Sequence, residues 1–325
     1  MPCHNRWRKL EDFMVRILIR MTCALILFSA FCSAQQPSSA PLPAPGSPED
    51  LVQQGVKLSR EGKQDEALAL YNKVLDKSPD FYEARLEAGI VLDLKGDYAG
   101  AQAQFTKAID IAPTKSKEQA QRSLAFSYAF AGDPYKAGEA ETQVLNTALA
   151  KGDSVRAAET CNELARIYLE AGDIDHAFKW YKMGYETIAH KPDLTDADKN
   201  LWLFRWESAQ ARVAARRNKA DEAQHHVAAA KVALDKANNP DQMRFYPYLK
   251  GYVAFYTGDY KTAIAEFQKA DQHDPVILAL LGEAYEQSGD AAQAKDYYRK
   301  VLEINTHNPT NAFARPLAKK KLGVS

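Results

Sequence analysis

Glu61–Pro79 reads EGKQDEALALYNKVLDKSP, and Lys95–Pro113 reads KGDYAGAQAQFTKAIDIAP. The two stretches share one outline: a glycine (Gly62, Gly96), an alanine five residues on (Ala67, Ala101), an aromatic four further (Tyr71, Phe105) and a proline eight beyond that (Pro79, Pro113). Working outward, the glycine recurs at Gly132, Gly172, Gly258 and Gly289, and Asn218 takes its place once. Gly and Asn are the residues that tolerate left-handed backbone at the end of a helix. An alanine follows each turn by five residues, at Ala67, Ala101, Ala137, Ala177, Ala223, Ala263 and Ala294. A small residue precedes each turn by seven, at Gly55, Gly89, Ala125, Ala165, Ala211, Gly251 and Gly282.

These linked offsets describe an antiparallel pair of helices crossing closely, with small residues on the facing surfaces and larger side chains interlocking around them. Tyr71, Phe105, Tyr181, Phe267 and Tyr298 lie one helical turn past their alanines and share a face with them. Pro79, Pro113 and Pro275 stop three of the second helices. A single pair leaves an apolar face exposed, so pairs must stack on one another.

The outline resembles the tetratricopeptide repeat, a helix–turn–helix unit of about 34 residues. The interval from Gly62 to Gly96 matches that period. The resemblance spans roughly residues 48 to 305; it is strong in the first two units, in YLKGYVAFYTGDYKTAIAEFQKADQHDP and in LLGEAYEQSGDAAQAKDYYRKVLEI, and looser between them. The interval between turns widens from Gly132 through Asn218 to Gly258 and tightens again at Gly289, so the middle pairs are longer. Glu141 and Val227 stand where the family prefers an aromatic. The resemblance implies an all-α fold, a right-handed superhelical solenoid of about seven pairs. The expected pairs cover about 48–81, 82–115, 118–151, 158–191, 204–237, 244–274 and 275–308. A basic helix around Pro316–Leu322, within residues 309–325, is expected to cap the stack. Asp196 is a candidate N-cap after the insertion HKPDLTDADKN.

The chain begins differently. Arg16 and Arg20 precede MTCALILFSAFCSA, an uncharged apolar run from Met21 to Ala34. It is too short to cross a bilayer, which needs about 20 residues, and suits the apolar part of a secretory signal ending at Cys32-Ser33-Ala34. Glu11 and Asp12 are out of place in a basic leader, which favours Met14 as the start. Residues 1–34 are therefore expected to direct export to a periplasmic or extracellular location, whether removed or kept as an anchor. Phe31 beside Cys32 argues against lipidation. Residues 35–47 are rich in Pro, Ser and Ala and form a linker. The expected domains are thus a signal at 1–34, a linker at 35–47 and a solenoid at 48–325, with no membrane span once the signal is gone.

Charge narrows the function. Lys+Arg and Asp+Glu both number 42; the expected signal holds five and two of them, leaving 37 against 40. Such balance argues against nucleic acid as a partner. Three of the four cysteines lie in the signal, so only Cys161 remains and packing alone must hold the fold. The glycines stand singly at turns, so no phosphate loop is present, and no serine is set as G-x-S-x-G. His225 and His226 are adjacent, so they diverge on a helix and cannot share one metal. No catalytic constellation, cofactor site or metal site is readable, and the chain is expected not to be an enzyme.

What remains is the concave wall, lined by the first helix of each pair. Its expected inward residues are apolar at first, including Val52, Val56, Leu86, Ile90, Phe126 and Phe130; then basic, at Arg166, Arg205, Arg212 and Arg216; then aromatic, at Phe245, Tyr248, Tyr252, Phe255 and Tyr256. Such a groove suits a protein or peptide bearing an acidic group, since arginine and aromatic side chains anchor interfaces. The expected partner residues are Leu86, Ile90, Phe126, Phe130, Arg166, Arg212, Tyr248, Tyr252 and Tyr256. The Lys/Asn clamp for C-terminal carboxylates known in the family has no counterpart, because its positions hold Val52, Val56, Glu87, Gln119 and Ser123. Three roles fit these residues: an exported scaffold binding proteins, a binder of glycans or small molecules through the tyrosines, and a spacer capable of self-association.

Overall fold

A computed structural model describes residues 43–324; the signal and most of the linker lie outside the described residues. Among the described residues, fifteen α-helices and one short 3₁₀ turn follow in sequence. They pair as α1 (Pro48–Arg60) with α2 (Gln64–Leu75), α3 (Tyr82–Lys95) with α4 (Tyr98–Ile111), α5 (Lys117–Phe130) with α6 (Pro134–Ala150), and α7 (Ser154–Glu170) with α8 (Ile174–Ala189). Then come α9 (Asp196–Arg216) with α10 (Ala220–Ala237), α11 (Phe245–Tyr256) with α12 (Tyr260–Phe267), α13 (Pro275–Gln287) with α14 (Ala291–Glu303), and a final α15 (Pro309–Leu322). The described residues contain no strand, and the architecture is an all-α helical repeat fold.

The glycine and the acid that follows it divide the labour of each turn. Gly96 ends α3 at φ 99°, a conformation open to residues without Cβ, and Asn218 does the same at φ 61°. The next residue then starts the second helix. Asp97, Asp133, Asp173, Asp259 and Asp290 each accept a hydrogen bond from the backbone N–H three residues on, as N-caps worth about 1 kcal/mol apiece. After the long insertion the cap is Thr195 rather than Asp196, which is the first helical residue.

Within pairs, the small residues meet the aromatics. The Tyr71 ring lies against Gly55, Phe105 against Gly89, Phe267 against Gly251 and Tyr298 against Gly282. Between pairs, successive first helices touch, α1 with α3, α3 with α5, α9 with α11 and α11 with α13, and these contacts build the inner wall.

The last helix departs from the simple stack. Helix α15 starts at Pro309, runs through Pro316, and packs on α13 and α14 but also on α5 and α7. Ala312 joins Leu94, Ala129 and Phe130 in one apolar cluster, with Phe313 and Ile90 at its edge. Arg315 donates to Leu94 O at 2.9 Å and, from Nη1, to Leu302 O at 3.0 Å and Ile304 O at 3.2 Å. One guanidinium thus serves the carbonyl ends of both α3 and α14, where helix dipoles favour a cation. Lys319 Nζ donates to Lys95 O at 2.9 Å. Just before the helix, His307 Nε2 lies 2.8 Å from Asp93 Oδ2, packed among the rings of Phe105, Phe126 and Phe130. The C-terminal segment therefore crosses the concave face and lies on the second and third pairs, instead of only covering α14.

Candidate functional site

The segment that closes the N-terminal part of the groove leaves the middle open. There α5, α7, α9, α11 and the start of α13 surround a cavity of about 670 Å³. Each long inner helix offers it a stripe at helical spacing: Glu159, Glu163 and Arg166 from α7, and Arg205, Ser208 and Arg212 from α9. Phe245, Tyr248 and Leu249 of α11 close one side.

The wall holds six arginines (Arg122, Arg156, Arg166, Arg205, Arg212, Arg244) against four carboxylates (Glu159, Glu163, Asp271, Asp274). The pairing is uneven. Arg122 grips Glu163 through two hydrogen bonds, of 3.1 and 2.6 Å, and Arg156 donates to Glu118 at 2.7 Å. This side is balanced. On the other side, Arg205 stacks over Trp202, Arg212 over Tyr181 and Arg244 over Phe245, and none of the three makes an ion pair among the described residues. Arg166 Nε comes within 2.7 Å of Glu170 Oε1 but off the axis of a hydrogen bond, so the attraction there is Coulombic. Asp274 is occupied as the N-cap of α13, accepting from Val276 N at 2.9 Å, and burial pushes its carboxyl upward in pKa.

Several donors at this wall are buried without any partner among the described residues: Arg166 Nη2, Arg212 Nε, the Tyr248 hydroxyl and the Ser208 hydroxyl. Leaving such groups unpaired costs about 1–3 kcal/mol each. Burial pushes the Tyr248 hydroxyl up in pKa and so keeps its proton on.

The expected groove residues divide into two sets. Arg166, Arg212 and Tyr248 come together at the cavity. Leu86 and Phe126 are buried, and Phe130 and Ile90 pack with the C-terminal segment. Ile90, Phe126 and Phe130 are thus covered by the chain's own α15 and its approach loop, while Leu86 is buried in the cluster of Tyr82 and Phe105. Tyr252 is 0% exposed, enclosed between the rings of Tyr248 and Tyr256, its hydroxyl 3.3 Å from Nη1 of Arg216 on the neighbouring inner helix. Tyr256 is half-buried beneath the Arg216 guanidinium, 4.6 Å from ring centroid to Cζ. Arg216 is thus spent inside the fold. Ser208 and Phe204 line the cavity without standing out in the sequence, although Ser208 falls three residues after Arg205, a spacing that alone could have found it. Cys161 is fully buried and desolvation pushes its thiol up to about 12, which leaves it unreactive.

Beside the cavity, Glu141 fills the place where the repeat prefers an aromatic. It is 0% exposed, its carboxylate oxygens make no hydrogen bond among the described residues, and Arg122 Nε stands 4.0 Å away. Burial first, and repulsion from Glu163 second, push its pKa well above the ordinary value. A carboxyl raised in the folded state contributes most below its unfolded pKa of 4.5 and loses that contribution as pH rises through the folded value. Glu141→Gln should therefore gain stability relative to the parent as pH rises from 4.5 toward neutral. Urea midpoints across that range check this, and parallel curves for the two proteins would refute it.

Comparison with known proteins gives a consistent relationship. Profiles of the tetratricopeptide repeat match residues 53–116, 158–183 and 254–312. Superkiller complex protein 3 of Mus musculus is 26% identical over 285 residues, which is 85% of this chain but 17% of that protein. Among solved structures, a tetratricopeptide repeat protein from Parabacteroides merdae superposes with a TM-score of 0.51 at 13% identity, over 85% of this chain and 97% of that one. The apo form of RapI gives a TM-score of 0.53 at 14% identity, over 84% and 99%. A Rap protein complexed with Competence and Sporulation Factor gives 0.50 at 13% identity, over 79% and 74%. At these identities the structures establish a shared fold and nothing finer.

Proposed function

We propose that this chain, which belongs to the tetratricopeptide-repeat family, is a non-catalytic exported scaffold that holds a protein or peptide partner on its concave face. Proteins of this family generally mediate protein–protein interaction, and that is the frame for the reading. The observation that carries it is the uneven inner wall. Its apolar part around Ile90, Phe126 and Phe130 is covered by the chain's own C-terminal segment, while its centre stays open and is lined by arginines and aromatics. Such side chains are the usual anchors of an interface. Export rests on the basic lead and the uncharged run Met21–Ala34. No helix among the described residues is long and apolar enough to cross a membrane.

The tyrosine wall gives little support to glycan binding, because Tyr248 is buried and Tyr252 has no exposed face to stack on a sugar. The variant that tests the scaffold must therefore use open positions. Affinity capture with the full chain should retain a partner that an Arg205→Ala, Phe245→Ala double variant of unchanged helix content loses. Equal capture by both would move the interface to the convex face. No capture by either, with a mass that grows with concentration, would replace the scaffold with a self-associating spacer.

A further inference from the structure

We infer that the open centre of the groove contains a carboxylate subsite, formed by Arg166 and Arg212 with Arg205 at its rim. The inference rests on the scaffold reading for the source of the carboxylate, but not for the existence of the subsite. Two facts about the wall carry it.

The first is charge with too little compensation. Arg166 on α7 and Arg212 on α9 line the same cavity, Arg166 over the Tyr248 ring at 5.6 Å and Arg212 over the Tyr181 ring at 5.2 Å. Arg212 has only the phenolic oxygen of Tyr181, 3.1 Å from Nη2, as an acceptor among the described residues. Arg205 has a ring beneath it and no ion pair. Guanidinium groups brought together in a partly desolvated wall oppose folding unless anions join them, because the effective dielectric there is far below that of water. Glu170 offsets one charge, that of Arg166. The four lining carboxylates give these arginines no hydrogen bond. Glu163 is held by Arg122, Asp274 caps α13 and attracts Arg166 only at a distance, and Glu159 attracts Arg205 in the same way.

The second is the donors left over. Arg166 Nη2, Arg212 Nε and the hydroxyls of Ser208 and Tyr248 are buried at this wall with no partner among the described residues. They come from three different helices, so no single local irregularity explains them. A wall with several buried donors left over is complementary to a group that only accepts, and an ionised carboxylate is such a group, with about four lone-pair positions on two oxygens. Its planar fork matches guanidinium geometry. The cavity, about 670 Å³, admits an acidic side chain with its flanking backbone, and Phe245, Tyr248 and Leu249 offer apolar surface to whatever follows the charge.

The test titrates the full chain with four probes: an acetylated and amidated Gly-Glu-Gly peptide, its Gly-Gln-Gly counterpart, glutarate and inorganic phosphate. Calorimetry reads affinity and the melting temperature reads stability. The Glu peptide and glutarate should bind saturably and raise the melting temperature, while the Gln peptide does neither. Arg212→Gln should weaken binding about tenfold, the loss of one charge-assisted hydrogen bond. Without ligand the same variant should melt no lower than the parent, because it removes an unpaired buried charge; a merely structural arginine would lower it. Arg205→Gln, at the rim, gives the same reading of affinity should Arg212→Gln not fold.

Tighter binding of the peptide than of glutarate assigns the carboxylate to a bound chain, and the reverse assigns it to a free diacid. Equal binding of the Glu and Gln peptides, unchanged affinity in both variants, or phosphate saturating at tenfold lower concentration than either carboxylate would each overturn the subsite. A partner captured by the parent without any carboxylate binding would overturn the subsite and leave the scaffold. Saturable carboxylate binding with no captured partner would do the converse.

Discussion

Ending the chain at Thr306 should split one unfolding transition into two and lower the midpoint of the N-terminal pairs. In an open solenoid each repeat contacts only its neighbours, and stability is close to a sum of local terms. Here Arg315 and Leu94, 221 residues apart, are joined by a buried hydrogen bond. Helix α15 also takes part in two clusters at once: Ala312 packs with Leu94 and Phe130, while Ala314 and Ala318 pack into the large core of the later repeats. Removing it uncovers the first cluster and deprives the carbonyl end of α3 of two cations. It also strips Asp93, which is 1% exposed, of His307 and leaves it only the Ser127 hydroxyl at 2.7 Å. Leaving a buried hydrogen-bonding group without one of its partners costs about 1–3 kcal/mol. Burial already pushes Asp93 up in pKa, so proton uptake softens that loss without cancelling it. Urea unfolding followed by hydrogen exchange of α1–α4 measures the effect. A single transition with the parent's midpoint and slope would mean that the closure contributes no coupling between the ends.

The repeat was legible because its physics is local. A left-handed glycine, a capping residue, and a small residue meeting an aromatic ring are all encoded within one pair, and most pairs state most of them again. The arginine part of the site was legible for a related reason. Arg205 and Arg212 stand seven apart on α9, so they share a face wherever that helix goes. The closure was not legible. His307 and Arg315 carry no motif, and nothing in Asn308–Leu322 announces a partner as far upstream as α3. Ile90, Phe126 and Phe130 did carry a signal, since an inner wall facing water would be polar, but their sequence could not say that the cover is the chain itself. Tyr252 failed differently. It shares a face with Tyr248, one helical turn away, but the neighbouring inner helix covers it there, with Arg216 bonded to the hydroxyls of both Tyr252 and Tyr256.

Contacts that repeat along the chain set the curvature of the wall, and the single C-terminal closure decides how much of it is open. The first are over-determined, because each is supported by its neighbours. The helix crossings show how little tolerance that leaves.

Gly89→Ala should destabilise the chain by about 2–3 kcal/mol, against the direction that helix propensity gives. Gly89 lies inside α3, where replacing glycine by alanine normally gains about 1 kcal/mol. A methyl group there would stand 2.6 Å from Cε1, 2.8 Å from Cζ and 2.9 Å from Cδ1 of Phe105. Phe105 is fully buried, with His307 at a centroid distance of 5.5 Å on another side, so its ring has no free direction in which to retreat. Either the ring leaves its well or α3 and α4 separate, and close-packed interiors resist both. The loss should appear in the urea midpoint with an unchanged slope. Phe105→Leu, itself destabilising, should make the added methyl less harmful, so the double variant should lie above the sum of the singles by an interaction of about 1 kcal/mol. Gly100→Ala, on the same second pair, is the comparison: its methyl would meet only the Asp97 carboxylate that caps α4, so its loss is bounded by that cap at about 1 kcal/mol. Additive losses at Gly89 and Phe105, or equal effects at Gly89 and Gly100, would show that the close crossing is not what holds the pair together.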